Sequence, residues 1–295
     1  DGGERLLGIP TVRDRVVQQA LRRIIEPIFE PDFHPSSYGY RPGRSGHHAI
    51  GKAELFIRRY RRDWVVDMDL SKCFDTLNHD LIIRQFRQRI TDGSVLSLLR
   101  QFLESGVMVG YHLEETELGS PQGGVISPLI ANVYLDAFDQ FMKARGHRIV
   151  RYADDILILC GSRAGAENAL RVAQSYLEEE LKLTVNVTKT HIAHSDEGVK
   201  FLGVVIHTNY TRIQDKKVVK LKQKLKALTK RNRGIGLAAI IRELNPVLRG
   251  FVSYFRVANC ARVLKQVMRW LRRRLRCIQL KQWKKPGRLH RRLKQ

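Results

Sequence analysis

Acidic residues all but disappear from the last 85 positions of this 295-residue chain. Residues 211–295 hold 27 Lys and Arg against 2 Asp and Glu, whereas residues 1–210 hold 26 against 27. The net charge of +24 therefore belongs to one tail, which excludes an evenly basic protein and points to a polyanion-binding segment joined to an ordinarily composed one. A merely solvated face would repel itself at that density, so bound RNA or an RNA–DNA hybrid is the expected partner. Cysteine is scarce as well: Cys73, Cys160, Cys260 and Cys277 lie far apart with no C-x-x-C pair, which indicates neither a zinc knuckle nor a disulfide framework. No apolar run approaches the roughly 18–20 residues of a membrane span. The opening "DGGERLLGIP" has neither the basic start nor the apolar centre of a signal peptide. A cytoplasmic chain with reduced thiols and no membrane partner is expected. It starts without Met inside what reads as a loop, so residues ahead of Asp1 are expected too.

What is present is a 43% hydrophobic content, enough for a sizeable core. "TVRDRVVQQALRRIIEPIF" spaces Val12, Val16, Ala20, Ile24 and Ile28 four apart, one apolar stripe of a helix that Pro27 and Pro31 are expected to close. "SYGYRPGRSGHHAI" reads as a loop entering a helix, and "DWVVDMDL" as a short strand. After "GSPQGGVISP", Ser127 is placed to cap and Pro128 to open a helix through "LIANVYLDAFDQFMKAR". "LTVNV" and "VKFLGVVIH" read as strands, and beyond residue 215 the pattern is helical only. The fold class is α+β, with a sheet covered on one side, followed by an all-α basic module.

"VRYADDILIL" sets two adjacent carboxylates, Asp154 and Asp155, between the strand-forming blocks "HRIVRYA" and "DILILC". Alone, such a pair is an ordinary solvated turn. "VVDMDLSKCFD" adds Asp67 and Asp69, which alternate along a strand and so face one side. Beside the hairpin, Asp69 and the Asp154/Asp155 pair would converge on divalent cations, which offset the repulsion between carboxylates. Two such ions, about 3.5–4 Å apart, are a known device for in-line phosphoryl transfer. His47, His48, His191 and His194 have no partner at metal-ligand spacing and read as satisfied polar residues.

The strings "LGIPTVRDRVVQQAL", "SYGYRPGRSGHHAI", "DLSKCFD", "GSPQGGVISPLIANVYLD", "RYADDILIL", "LKLTVNVTKT", "KFLG" and "LNPVLRGFVSYF" occur in this order, and together they resemble the reverse transcriptase and maturase of bacterial group II introns. The resemblance implies a right-hand polymerase: fingers over residues 1–62, palm over 63–210, and a helical thumb/maturase domain over 211–295 with more of it expected beyond. It implies that Asp69, Asp154 and Asp155 are catalytic and hold two Mg²⁺ ions, with Mn²⁺ as substitute and the Leu70 carbonyl as an added ligand. Asp67 falls outside that set and reads as a structural partner of a nearby Arg. Arg5, Phe74, Gln122 and Lys189 match nucleotide-binding positions. Arg5 would grip the triphosphate, Phe74 would exclude a 2′-OH, Gln122 would touch the nucleotide and Lys189 would protonate the leaving pyrophosphate. From position alone Phe74 reads equally as core, and Lys189 as a solvated Lys. Tyr152, Ala153, Phe201, Leu202 and Gly203 match primer–template contacts.

In the tail, Arg249, Arg269, Trp270, Arg272, Arg273, Arg274 and Arg276 mix cations with an aromatic ring, the composition for phosphate contacts with stacking. The implied activity is RNA-directed DNA polymerisation, with dNTPs, an RNA template, a DNA primer, target DNA and intron RNA as partners, splicing assistance alongside, and work at the nucleoid. A homodimer is left open. Two other readings stand beside it: a non-catalytic RNA-binding maturase, and a related reverse transcriptase serving phage defence, CRISPR spacer acquisition or diversity generation.

Overall fold

The computed structural model describes residues 8–109, 112–114, 118–119 and 123–283. The chain divides into two compact units, Asp1–Val199 and Lys200–Gln295. The boundary between them lies upstream of the composition step after residue 210, because three short strands group with the basic helices.

The first unit opens with α1 (Val12–Phe29), capped by Thr11, whose side chain accepts a hydrogen bond from the Asp14 N–H. The helix does not close at Pro27 but runs through it, and the Glu30 N–H to Glu26 carbonyl bond keeps the last turn. The four-residue stripe also faces outward: Val12 is 70% and Ile24 66% exposed, while Gln18, Leu21, Ile25 and Phe29 are buried. Leu21, Ile25 and Phe29 repeat at the same spacing one position over, so the periodicity identifies a helix without choosing its inner face.

Next come α2 (Gly46–Arg58), β1 (Trp64–Met68), α3 (His79–Arg87), α4 (Gly93–Glu104) and a hairpin of β2 (Val107–Val109) with β3 (His112–Glu114). Helix α5 (Ser127–Ala144) has Ser127 and Pro128 inside its first turn and Ile126 at the cap, so Ser127 is not the capping residue. Then follow β4 (Arg148–Tyr152), β5 (Asp155–Cys160), α6 (Arg163–Ser175) and β6 (His191–His194).

The main sheet is antiparallel with order β4-β5-β1-β6. Helices α5 and α2 pack on β4, and α6 packs on β5 and β1. Every residue of β5 from Ile156 to Cys160 is buried, so the sheet is covered on both faces rather than one. The unbroken run "ILILC" is the pattern of such a strand, whereas a half-solvated one would alternate.

The second unit begins around a three-stranded sheet, β7 (Val199–Phe201), β8 (Val204–Ile206) and β9 (Thr211–Ile213), in that order. The stretch read as one strand is broken at Leu202 and Gly203, whose φ angles of 44° and 86° turn the chain back. Helices α7 (Asp215–Leu228), α8 (Leu237–Phe255) and α9 (Ala261–Trp283) follow. Leu221, Leu225, Ile240, Leu244, Val267, Leu271 and Ile278 form their core, which leaves most of the Lys and Arg of these helices on the outer side.

Candidate active site

Asp69 directly follows β1, and its backbone is tied to the segment 184–190. Its N–H donates to the Thr190 hydroxyl (3.2 Å) and its carbonyl accepts from the Asn186 N–H (2.8 Å). Leu70 bridges Val185, and the Ser71 N–H donates to the Thr184 carbonyl. "LTVNV" is thus an irregular strap across the end of β1 rather than a regular strand. Beside it, Lys72 takes a left-handed φ of 47° and Cys73–Asp75 form one 3₁₀ turn.

The β4–β5 hairpin places the second acidic group. Tyr152 pairs with Asp155, leaving Ala153 and Asp154 as the turn. Ala153 has a φ of 57°, a conformation that costs a non-glycine residue about 1 kcal/mol. Since β5 pairs with β1, with Met68 opposite Ile156, the Asp69 end of one strand meets the Asp154 end of the other. Asp69, Asp154, Leu70, Phe74, Asn186 and Lys189 line one cleft of about 290 Å³.

The electrostatics show the crowding. The Asp155 carboxyl is pushed up to about 6, first by desolvation and then by Asp154, Asp67 and Asp69. Asp67 and Asp69 thus act on the same group, as their alternation requires. Asp67 Oδ2 lies 4.0 Å from His191 Nε2. Lys189 Nζ lies 3.4 Å from Asp69 Oδ2. Burial, with Asp154 next, pushes the Cys73 thiol up to about 12 and keeps it an inert neutral group.

Among the described residues no three His, Cys, Asp or Glu side chains close into a ready-made metal cage. Mg²⁺ is ordinarily held by one or two carboxylates together with waters and substrate phosphates. The carboxylate oxygens that Asp69 and Asp154 offer in this cleft fit a hard divalent cation whose shell a nucleotide completes.

Phe74 is half-buried, packing on the core while lining the cleft. Arg5 and Gln122 lie outside the described residues. Among the described neighbours, the Gly119 N–H donates to the Leu77 carbonyl (2.7 Å), and the Val125 N–H to Gln18 Oε1 (2.8 Å). A Cβ at Gly119 would meet the Asp75 carbonyl at 2.7 Å, so only glycine lets the backbone at 119 come so close to the Phe74 turn.

Two residues of the site went unread in the sequence. Asn186 lines the cleft and carries the Asp69 carbonyl; its signal was its place inside "NVTKT". Tyr40 stands half exposed with a φ of 58°. Its phenol is pushed up by burial and then by Asp154, Tyr152 and Asp155. The Gly-Pro richness around it indicated a loop and nothing more.

In the second unit, the Leu202 carbonyl of the Phe201–Gly203 turn accepts a hydrogen bond from the Tyr254 hydroxyl (2.8 Å), and Phe255 packs over Gly203. Arg249, Arg269, Arg272, Arg273 and Arg276 are exposed. Arg274 is not displayed in the same way. Its Nε donates to the Thr229 hydroxyl (2.6 Å) and its Nη2 to the Lys226 and Thr229 carbonyls, closing the C-terminus of α7. It also stacks on Trp270, which belongs to the helical core.

Residues 1–206 match the family model described as reverse transcriptase (RNA-dependent DNA polymerase), and residues 218–295 match the maturase-specific domain of group II introns. Protein YkfC of Escherichia coli K12 is 37% identical, over 82% of this chain and 72% of that protein. The group II intron-encoded protein LtrA of Lactococcus lactis subsp. cremoris is 29% identical, over 68% of this chain and 44% of its own length. A telomerase from Candida albicans, solved in complex with a fragment of telomeric RNA, shares the fold with a TM-score of 0.54 and 14% identity, over 86% of this chain and 48% of that one.

Proposed function

Because this chain belongs to the reverse transcriptase (RNA-dependent DNA polymerase) family and carries a group II intron maturase-specific domain, we propose that it copies RNA into DNA at the cleft between Asp69 and Asp154. The single observation that carries the reading is that cleft, where the two carboxylates meet through paired strands about 90 residues apart in sequence. Residues 1–62 act as fingers, 63–210 as palm and 211–295 as thumb and maturase domain.

Asp69 and Asp154, with the Leu70 carbonyl, would hold Mg²⁺, and Asp155 would join them when the nucleotide is in place. A divalent pair there supplies charge neutralisation at the α-phosphate and activation of the primer 3′-OH. The chain's own residues do the rest. Lys189 supplies a proton to the departing pyrophosphate, Phe74 closes the floor of the sugar site against a 2′-OH, and Asn186 with Thr190 fixes the Asp69 backbone. Arg5 and Gln122 hold the triphosphate and the base. In the first unit Tyr152 and Ala153 contact primer–template, and in the second unit Phe201, Leu202 and Gly203 do.

The exposed arginines of α8 and α9 bind group II intron RNA by its phosphates, which serves splicing as well as copying at target DNA. The site of action is the cytoplasm, at the nucleoid; no helix among the described residues is long and apolar enough to cross a membrane. Primer extension on an RNA template with Asp154→Ala tests the reading. Loss of synthesis with RNA affinity retained is expected. Extension at the normal rate would overturn it, and an inactive wild type that still binds intron RNA would leave a splicing maturase.

A further inference from the structure

The turn that carries Asp154 and Asp155 is held from inside the protein by one side chain. Arg151, the penultimate residue of β4, is fully buried. Its Nε donates to both carboxylate oxygens of the equally buried Asp139 on α5 (2.9 and 2.8 Å), and Nη2 donates to the same group (2.6 Å). The remaining nitrogen, Nη1, donates to the Ala153 carbonyl and to Asn132 Oδ1, both at 3.1 Å. Asn132 in turn donates to the Gly39 carbonyl (2.9 Å). Gly39 lies so close under the turn that a Cβ there would stand 2.3 Å from the Ala153 nitrogen. The Arg151 backbone is pinned as well, its N–H to the Ser36 carbonyl and its carbonyl by the Tyr38 N–H, both at 2.9 Å.

These contacts close a ring: Arg151 to Asn132, Asn132 to Gly39, Gly39 to Ala153, and Ala153 back to Arg151. What the ring encloses is the left-handed Ala153, a conformation that persists only where the surroundings over-determine it. A buried ion pair is a poor filler for a core, since apolar residues of the same volume often serve stability equally well. What the pair supplies that Met and Leu would not is a fixed donor on the carbonyl immediately ahead of Asp154.

We propose that Arg151, oriented by Asp139, is a positioning residue that sets the Asp154 and Asp155 carboxylates for divalent metal. It touches no reacting atom. The inference rests on the reading of those carboxylates as metal ligands, and the test keeps the two apart.

The full chain is prepared as wild type, R151M/D139L, R151K and D154N. Thermal melting, RNA binding, Mn²⁺ binding followed by electron paramagnetic resonance on the protein alone, and single-nucleotide extension are measured for each. Replacing both partners removes the buried charges together, so R151M/D139L is expected to melt near the wild type and bind RNA normally. Its Mn²⁺ affinity should fall at least tenfold and kcat at least a hundredfold, with KM for dNTP changed less than threefold. A folded double variant with wild-type Mn²⁺ affinity and kcat would overturn the proposal and leave the pair a packing element. R151K keeps the charge against Asp139 but lacks the fork that reaches two partners at once. Whether or not the double variant folds, it should lose about tenfold in both readouts, and unchanged values in R151K would equally overturn the proposal. If D154N keeps wild-type Mn²⁺ binding and extension, the metal-site reading fails, whatever Arg151 does.

Discussion

The Lys189 ammonium lies 3.4 Å from the Asp69 carboxylate at the mouth of the cleft. Both side chains are partly open to solvent, and a pair of that kind contributes at most about 1 kcal/mol to stability. Lys189→Ala should therefore leave the melting temperature nearly unchanged. A positioned general acid contributes about a hundredfold or more to rate, so kcat for single-nucleotide extension should fall by about that factor. An unchanged kcat would return Lys189 to the ranks of surface lysines.

Asp155 gives a pH dependence of definite sign. Its carboxyl is raised from 3.8 to about 6, so between those values the folded, metal-free chain holds a proton that the unfolded chain has released. Its contribution to stability is present in acid and is lost as pH rises through 6, the reverse of a salt-bridged carboxylate. Divalent metal competes with that proton. Mn²⁺ affinity should be level above pH 6 and fall by roughly tenfold per unit below it, and Asp155→Asn should flatten the curve. Titrations between pH 5 and 8 check both.

Phe74 is split between the core and the cleft. Phe74→Ala should cost roughly 1–2 kcal/mol in a denaturant melt, less than a fully buried Phe. It should also raise the rNTP/dNTP ratio of kcat/KM at least about tenfold. A stability loss with unchanged sugar discrimination would show the ring to be packing alone.

The arginines of α9 should separate into two kinds. Arg272, Arg273 and Arg276 are exposed, and removing all three should lower the slope of log affinity against log salt by about 2–3, close to one unit for each phosphate no longer neutralised. Arg274 is spent on the Thr229 hydroxyl and the carbonyls that end α7. Arg274→Ala should leave the salt slope alone and destabilise the helical unit by about 1–3 kcal/mol. Filter binding across a salt series, with thermal melts, distinguishes them.

Those arginines also mark where the sequence stops being readable. A run of like charges announces a polyanion partner but not which member turns inward, because that depends on a helix end 45 residues away. The same limit acts on α1, where two stripes at equal spacing compete and only packing decides. The hairpin of Asp154 and Asp155 was legible because strand-forming blocks on both sides leave the turn nowhere else to go. Its support was not, since Asn132 and Asp139 share α5 with Asp136, Gln140 and Lys143, and composition alone does not say which of these polar residues turn inward. The spacing of seven between Asn132 and Asp139 was the available clue, as it puts two polar groups on one buried stripe.

The strand order β4-β5-β1-β6 sets a timetable for synthesis. β1 ends at Met68, yet its two neighbours are Asp155–Cys160 and His191–His194. At about 5–20 residues per second, a ribosome takes roughly 4–17 s to deliver the first of them. Through that interval the strand leading to Asp69 has no sheet to join, and its open edges are a hazard for misassembly. The nascent chain therefore passes through a stage in which its most central strand is its least protected, so the demand for chaperone shelter peaks well before the basic tail is made.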